Sequence, residues 1–214
     1  MQIKICGITN SDDALACAAV GVDMIGLNFY EQSPRYIRPD QARTIARTLP
    51  LSTQAVGIFV DTPIEEIRHI ARDVGLHMVQ LHGSESPEMC AELARDFEII
   101  KALRIDGGFD AQRASAYPMC TILLDTYEQR MAGGTGDVGD WELARATKKF
   151  ATRLILAGGL SPENVAQAIA TVNPDGVDVC SSLESAPGVK DLERIQQFVA
   201  AARNAEKIGA ARLG

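Results

Sequence analysis

Residues 154–180 read LILAGGLSPENVAQAIATVNPDGVDVC, and the fold turns on this stretch. An apolar, β-rich run, Leu154–Ala157, ends at the pair Gly158-Gly159. Pro162 then stands just ahead of a segment with helical apolar spacing, and a second β-rich run follows at Gly176–Val179. Strand, short turn, helix and strand in so few residues make a compact βαβ unit, which requires parallel strands. The same alternation continues outward along the chain. Further strand candidates are Ile3–Cys6, Met24–Asn28, Ala55–Phe59, Met78–Leu81, Glu98–Ala102 and Thr121–Leu124. Between the strands lie helix candidates. Ser11-Asp12-Asp13 opens the first with cap residues and acids. Pro39, Pro63 and Pro87 stand near the starts of the next three, and the last helix starts near Lys190. Eight strands in 214 residues leave about 27 residues per unit, enough for a strand, a helix and two short loops. No Pro/Ser linker divides the chain, so residues 1–214 form one α/β domain. Eight units close into a (β/α)8 TIM barrel. A doubly wound open sheet is the rival; it normally needs fewer strands, and the first strand lacks a G-x-G-x-x-G turn.

Composition narrows the partners. A chain 46% hydrophobic and 23% charged is neither disordered nor fibrous. Its net charge of −7 argues against nucleic acid or an anionic membrane as partner. No window approaches the ~18 consecutive apolar residues of a membrane span. The opening MQIKICGITN lacks the apolar stretch of a signal peptide, so a cytoplasmic location is expected. The five cysteines form no C-x-x-C, and the three histidines form no H-x-H or H-E-x-x-H. Neither a disulfide framework nor a metal site is expected. Cys17, Cys90 and Cys120 read as packing residues. Monomer and homodimer are both compatible with a barrel of this size.

In such a barrel chemistry belongs at the C-terminal ends of the strands. Those ends are polar here: Cys6, Asn28, Gln80 and His82, Asp125, Asp178, and Cys180-Ser181-Ser182. Buried polar groups cost free energy unless paired, so packing alone accounts poorly for their convergence. Strand alternation puts Lys4 on the face of Cys6, and a nearby ammonium favours a thiolate there. Asp125 is a carboxylate at a strand end, where function competes with a cap or rim salt bridge. Gly158-Gly159, Ser181-Ser182 and Gly133-Gly134-Thr135-Gly136 are small-residue loops that let backbone N–H groups approach a phosphate. The first two follow strands seven and eight, the usual phosphate site of these barrels. Arg35, on the loop after strand two, is able to grip a carboxylate with two parallel hydrogen bonds.

The opening Lys4-Ile5-Cys6-Gly7-Ile8-Thr9 closely resembles that of phosphoribosylanthranilate isomerases. The resemblance continues in order through Ser33-Pro34-Arg35-Tyr36, Val56-Gly57-Ile58-Phe59-Val60, Val79-Gln80-Leu81-His82-Gly83 and Leu123-Leu124-Asp125. It runs on through Gly133–Gly136, Asp140-Trp141, Leu156–Val165, Gly176-Val177-Asp178-Val179 and Pro187-Gly188-Val189-Lys190-Asp191. It implies an Amadori rearrangement in tryptophan biosynthesis. N-(5-phosphoribosyl)anthranilate becomes 1-(2-carboxyphenylamino)-1-deoxyribulose 5-phosphate, with no metal and no organic cofactor. By the same resemblance Cys6 is the general base and Asp125 the general acid. Arg35 lies near the anthranilate carboxylate, while Gly158, Gly159, Ser181 and Ser182 form the phosphate loops. His82 and Asp178 are further substrate-binding candidates. Asp125 has to hold a proton as substrate binds, which burial or a negative neighbour such as Asp178 would favour.

The chain departs from the family pattern after strand eight, where Ser-Ser-Gly is usual and Cys180-Ser181-Ser182 stands instead. Two other readings are weighed against the isomerase. A metal-dependent phosphosugar epimerase would want paired histidines and carboxylates, which the lone His82 does not supply. A catalytically silent barrel that senses a phosphorylated ligand need not keep both Cys6 and Asp125.

Overall fold

The computed structural model describes residues 1–126 and 140–211. Eight parallel strands form a closed barrel in sequence order: β1 (Gln2–Ile5), β2 (Met24–Asn28), β3 (Gln54–Phe59), β4 (Met78–Leu81), β5 (Glu98–Arg104), β6 (Thr121–Asp125), β7 (Arg153–Ala157) and β8 (Gly176–Val179). β8 closes on β1 in the register Lys4↔Asp178 and Ile5↔Val179. The open-sheet rival is thereby excluded. The crossover helices are α1 (Ser11–Ala19), α2 (Pro39–Thr48), α3 (Ile64–Val74), α4 (Pro87–Leu93), α5 (Trp141–Thr147) and α6 (Val165–Val172), with α7 (Leu192–Ala211) last. α1 starts where its cap residues stand: the Asn10 side chain accepts from the Asp13 N–H. Pro39 and Pro87 occupy the first turns of α2 and α4, where their missing N–H costs nothing.

Two elements differ from the sequence expectation. The crossover between β5 and β6 is a 3-10 helix, Ala111–Ala116, capped by Asp110; Gly107-Gly108 before it and Pro118 after it leave little length for α-helical turns. The last helix begins at Leu192 because Val189–Lys190 (β10) first pairs antiparallel with Glu184–Ala186 (β9).

The period of two along each strand sorts the apolar residues into two cores. Met24, Val56, Met78, Ile100, Ala102, Leu123, Ile155 and Ala157 form a small cluster filling the barrel. The larger cluster lies between strands and helices and includes Ile3, Ile5, Ile25, Leu27, Val79 and Leu124. Leu123 therefore directs Asp125 inward, and Lys4 directs Cys6 inward. The inward parity places Gln2, Gln54, Thr121 and Arg153 at the N-terminal end, where Arg153 donates to Gln2 at 2.6 Å, and Cys6, Gln80 and Asp125 toward the C-terminal rim, with the apolar cluster between them.

Candidate active site

The barrel mouth holds a cavity of about 730 Å³ whose walls include Cys6, Asn28, Tyr30, Ser33, His82, Lys101, Arg104 and Arg113. Directly beneath Cys6, Lys4 is fully buried and its Nζ lies 2.8 Å from Asp178 Oδ1. Burial is the largest influence and opposes the charge on Lys4, but Asp178 and the neighbouring cysteines together hold the ammonium's pKa above its usual value. Cys6 is drawn down to about 7, first by a hydrogen bond from the Cys180 thiol and then, against the cost of burial, by the Lys4 charge. The same contact, with burial, pushes the Cys180 thiol up, so the pair's shared proton stays on Cys180. Asp178 is matched by Lys4 and is not the uncompensated negative neighbour expected beside Asp125.

Gly7 makes room for this arrangement. Its φ is +76°, and a Cβ there would lie 2.5 Å from Arg35 Cδ and 3.0 Å from Cys180 Sγ. The Arg35 stem thus packs over the turn that follows Cys6. Its Nε and Nη2 engage Glu184 at 2.8 and 2.6 Å, a two-point ion pair. Glu184 also accepts from Lys190 Nζ at 2.8 Å, and both side chains are buried. Arg35 thus already grips a carboxylate of this chain with two hydrogen bonds. One edge of its guanidinium is fixed by Glu184, and Nη1 has no partner among the described residues.

On the other wall, His82 Nδ1 lies 2.8 Å from the Gln80 amide nitrogen, and His82 Nε2 faces Asp125 Oδ2 at 4.0 Å. Burial lowers the His82 pKa, so the ring is neutral near pH 7. With Nδ1 accepting from the amide, the ring proton sits on Nε2, toward Asp125. Gln80 is fully buried, and its Oε1 has no hydrogen-bond partner among the described residues. The loop carrying His82 is clamped by a further buried ion pair, Lys101 with Glu85, at 2.8 Å. Lys101 Nζ also donates to Gly83 O at 2.8 Å, while Glu85 accepts from the Asp61 and Gly83 N–H groups at 3.0 Å. Sequence reasoning missed Lys101, Glu85, Glu184 and Lys190. Two lysines within apolar strands, Lys4 and Lys101, were the visible signal that a buried carboxylate had to be found for each.

The glycine and serine loops lie on the β7–β8 side, outside the residues lining the main cavity. Gly158 and Gly159 both have left-handed φ, +90° and +65°, so glycine is needed there on backbone grounds. Ser181 and Ser182 belong to a 3-10 turn, Ser181–Leu183. Ser182 is not among the residues of positive φ, and its Oγ donates to Leu160 O at 2.5 Å. The hydroxyl is committed to tying the two loops together, so its proton is not available to a phosphate. Gly133-Gly134-Thr135-Gly136 lies outside the described residues. Among the described residues no group of three or more His, Cys, Asp or Glu is arranged to hold a metal ion, and no helix is long and apolar enough to cross a membrane.

A closed (β/α)8 barrel with an inward thiol and an inward carboxylate at its C-terminal rim has the build of a barrel enzyme that works by proton transfer. The comparisons with known proteins are more particular. The family model of N-(5'-phosphoribosyl)anthranilate isomerase matches residues 3–201. The chain is 46% identical to the N-(5'-phosphoribosyl)anthranilate isomerase of Geobacter sp. (strain M21) over 202 residues, 94% of this chain and 98% of that one. Its structure superposes on phosphoribosyl anthranilate isomerase from Thermotoga maritima with a TM-score of 0.89 and 42% identity, covering 95% and 99% of the two chains. A phosphoribosyl anthranilate isomerase in complex with reduced 1-(o-carboxyphenylamino)-1-deoxyribulose 5-phosphate matches with a TM-score of 0.86 and 41% identity, over 95% and 99%. The chain belongs to the phosphoribosylanthranilate isomerase family.

Proposed function

We propose that this chain carries out its family's isomerisation, the Amadori rearrangement of N-(5-phosphoribosyl)anthranilate in tryptophan biosynthesis, with Cys6 as general base and Asp125 as general acid. The observation that carries the assignment is the Cys6 thiol, brought to about 7 at the mouth of a substrate-sized cavity. A base with a pKa near the working pH combines adequate thiolate with adequate proton affinity. The substrate's furanose must open before it can isomerise. Asp125 donates a proton to the ring oxygen, and the nitrogen lone pair drives C–O cleavage to an iminium ion. The Cys6 thiolate then removes the C2 proton, and the electron pair left behind forms an enolamine. Tautomerisation of the enolamine gives the aminoketose. His82, neutral and facing Asp125, presents a donor to the carboxylate that forms after proton transfer.

Binding divides along the rim. The substrate's carboxylate suits the part of the Arg35 guanidinium that Glu184 does not occupy. The phosphate suits the backbone N–H groups of Gly158-Gly159 and the turn at Ser181-Ser182, and we keep those four residues as its site. Asp178 acts on Cys6 through Lys4. The solved relative with reduced 1-(o-carboxyphenylamino)-1-deoxyribulose 5-phosphate supports a ligand carrying both groups.

The test follows the loss of phosphoribosylanthranilate fluorescence with EDTA present. Cys6→Ala and Asp125→Asn are each expected to lower kcat by roughly 10²–10⁴-fold, the scale of general acid–base groups, with much smaller changes in KM. Full activity in either variant removes that residue from its role.

A further inference from the structure

The mechanism uses Cys6 as a base and the Cys180 thiol beside it only as a neighbour that lowers the Cys6 pKa. β1 and β8 are paired in the register Lys4↔Asp178 and Ile5↔Val179, and the Cys6 N–H donates to Val179 O at 2.9 Å. Continuing that register one step sets Cys6 opposite Cys180. Neighbouring strands run about 4.8 Å apart, within the ~4.4–6.8 Å between Cα atoms that a disulfide spans. The side chains share the inward parity of Lys4 and Asp178, whose own tips meet at 2.8 Å one layer below. Cys180 Sγ has Glu184 Oε1 at 3.8 Å and Lys190 Nζ at 3.9 Å, and each of the two thiols shifts the titration of the other. Cys6 opens onto the cavity, and both cysteines are partly exposed. Cys90 and Cys120 influence each other likewise but are only 1% and 3% exposed, on the far side of the barrel wall.

We propose that Cys6 and Cys180 form a peroxide-oxidisable dithiol site, which closes to a disulfide across the β1–β8 seam. Closure switches off catalysis and protects Cys6 from irreversible oxidation. The Cys6 thiolate attacks one oxygen of hydrogen peroxide, the O–O bond breaks, and the departing hydroxide takes up a proton to become water. Cys6 is then a sulfenic acid. The Cys180 sulfur attacks the Cys6 sulfur, the S–O bond breaks, and the hydroxyl leaves as water with the Cys180 proton. In sum two thiols are oxidised by two electrons, and one peroxide is reduced to two waters. A dithiol such as dithiothreitol reverses the process. Cys6 is suited to the first step because its thiolate is populated near pH 7, and Cys180 to the second because it stands opposite Cys6 across the β1–β8 seam. The loss of activity, unlike the cross-link, rests on the reading of Cys6 as the base.

The experiment treats the full chain with hydrogen peroxide, blocks remaining thiols, and digests it with trypsin without reductant. Cys6 lies in the peptide Ile5–Arg35 and Cys180 in Leu154–Lys190. The expected product is these two peptides joined, lighter by two hydrogens than their sum, with fragmentation assigning the link to Cys6 rather than Cys17. Activity should fall about 100-fold or more, as for loss of a general base, and return with dithiothreitol. Cys180→Ser, compared with its own untreated rate, should form no link and should fail to recover after excess peroxide, because its Cys6 sulfenic acid is oxidised further. The proposal is overturned if peroxide-treated wild type holds no Cys6–Cys180 link, or if Cys180→Ser recovers as fully as wild type. A link formed with activity intact upholds the dithiol site and instead removes Cys6 from its role as base. The wild-type peptide map stands even if the variant does not fold.

Discussion

Two lysine–carboxylate pairs, each 2.8 Å long and each buried, sit on opposite walls of the barrel. Lys4–Asp178 joins β1 to β8 inside the barrel, and Lys101–Glu85 joins β5 to the loop after β4. They differ in what lies next to them. Above Lys4 stands the Cys6 thiol, so the charge of that pair acts on a proton. Around Lys101 and Glu85 stand backbone groups of residues 61, 81 and 83, so that pair fixes where a loop runs. The same interaction thus serves as an electrostatic device on one wall and a mechanical one on the other. Neither is evidence of net stability, since desolvating both partners offsets much of their attraction.

Removing one partner from each pair separates the two roles. Lys4→Met strands Asp178 with its charge uncompensated, and a loss of about 3–5 kcal/mol is expected from urea unfolding. Lys101→Met should cost less, because Glu85 still accepts from two backbone N–H groups. The pH profile of kcat/KM is the sharper measurement. Cys6 is depressed, to about 7, and in its proposed role as base its active form is the thiolate, so activity should rise as pH rises through about 7. Lys4→Met removes a charge that favours the thiolate, and this limb should move to higher pH. In Lys101→Met the limb should stay where it is. A limb unmoved in Lys4→Met would mean that the Cys180 hydrogen bond alone sets the thiol.

The Arg35–Glu184 pair lies on the electrostatic wall but is shaped like the mechanical one, since Glu184 holds one edge of the guanidinium and Lys190 holds Glu184. Arg35→Lys keeps the charge and loses the planar fork, so one ammonium would have to serve both Glu184 and the substrate. A loss of about ten-fold or more in kcat/KM is expected, in line with ~1.5–3 kcal/mol for a charged hydrogen bond. Steady-state kinetics that match wild type would confine Arg35 to holding Glu184.

The two walls were unequally legible in the sequence. Each strand announces itself by an apolar run ending in a turn, so the barrel and the polar strand ends, Cys6, His82 and Asp125 among them, follow from local pattern. Lys4 was also legible, because its parity with Cys6 is fixed two residues away. The partners were not. Arg35 meets Glu184 across 149 residues, and Lys4 meets Asp178 across 174. No local periodicity encodes such a contact; it exists only once β8 has closed on β1. Lys101 failed for a related reason. It sits mid-strand with helix-facing parity, so it looks unconnected to the rim until its long stem carries the ammonium to Gly83 and Glu85. The 3-10 turn after β5 was missed because glycine and proline shorten a crossover that repeat length alone would make a full helix.

Ser182 brings the smallest expected effect and the finest comparison, between a residue required by its backbone and one required by its side chain. Gly158 and Gly159 need left-handed φ; Ser182 does not, so a serine stands there without strain. Its hydroxyl donates to Leu160 O, linking the β8 turn to the loop after β7. Ser182→Gly deletes that neutral hydrogen bond, worth about 0.5–1.5 kcal/mol, and adds backbone freedom, but leaves the turn's N–H groups in place. KM should therefore shift by less than about ten-fold, with kcat nearly unchanged and a slight fall in Tm, because the proposed chemistry is at Cys6 and Asp125 rather than at the proposed phosphate end. Equilibrium binding of inorganic phosphate, measured by calorimetry on both proteins, isolates the loop from the reaction. A much larger loss of phosphate affinity would show that the loop–loop tie, rather than the backbone N–H groups alone, shapes the anion site. No phosphate binding in either protein would move the substrate's phosphate away from Gly158-Gly159 and Ser181-Ser182 altogether.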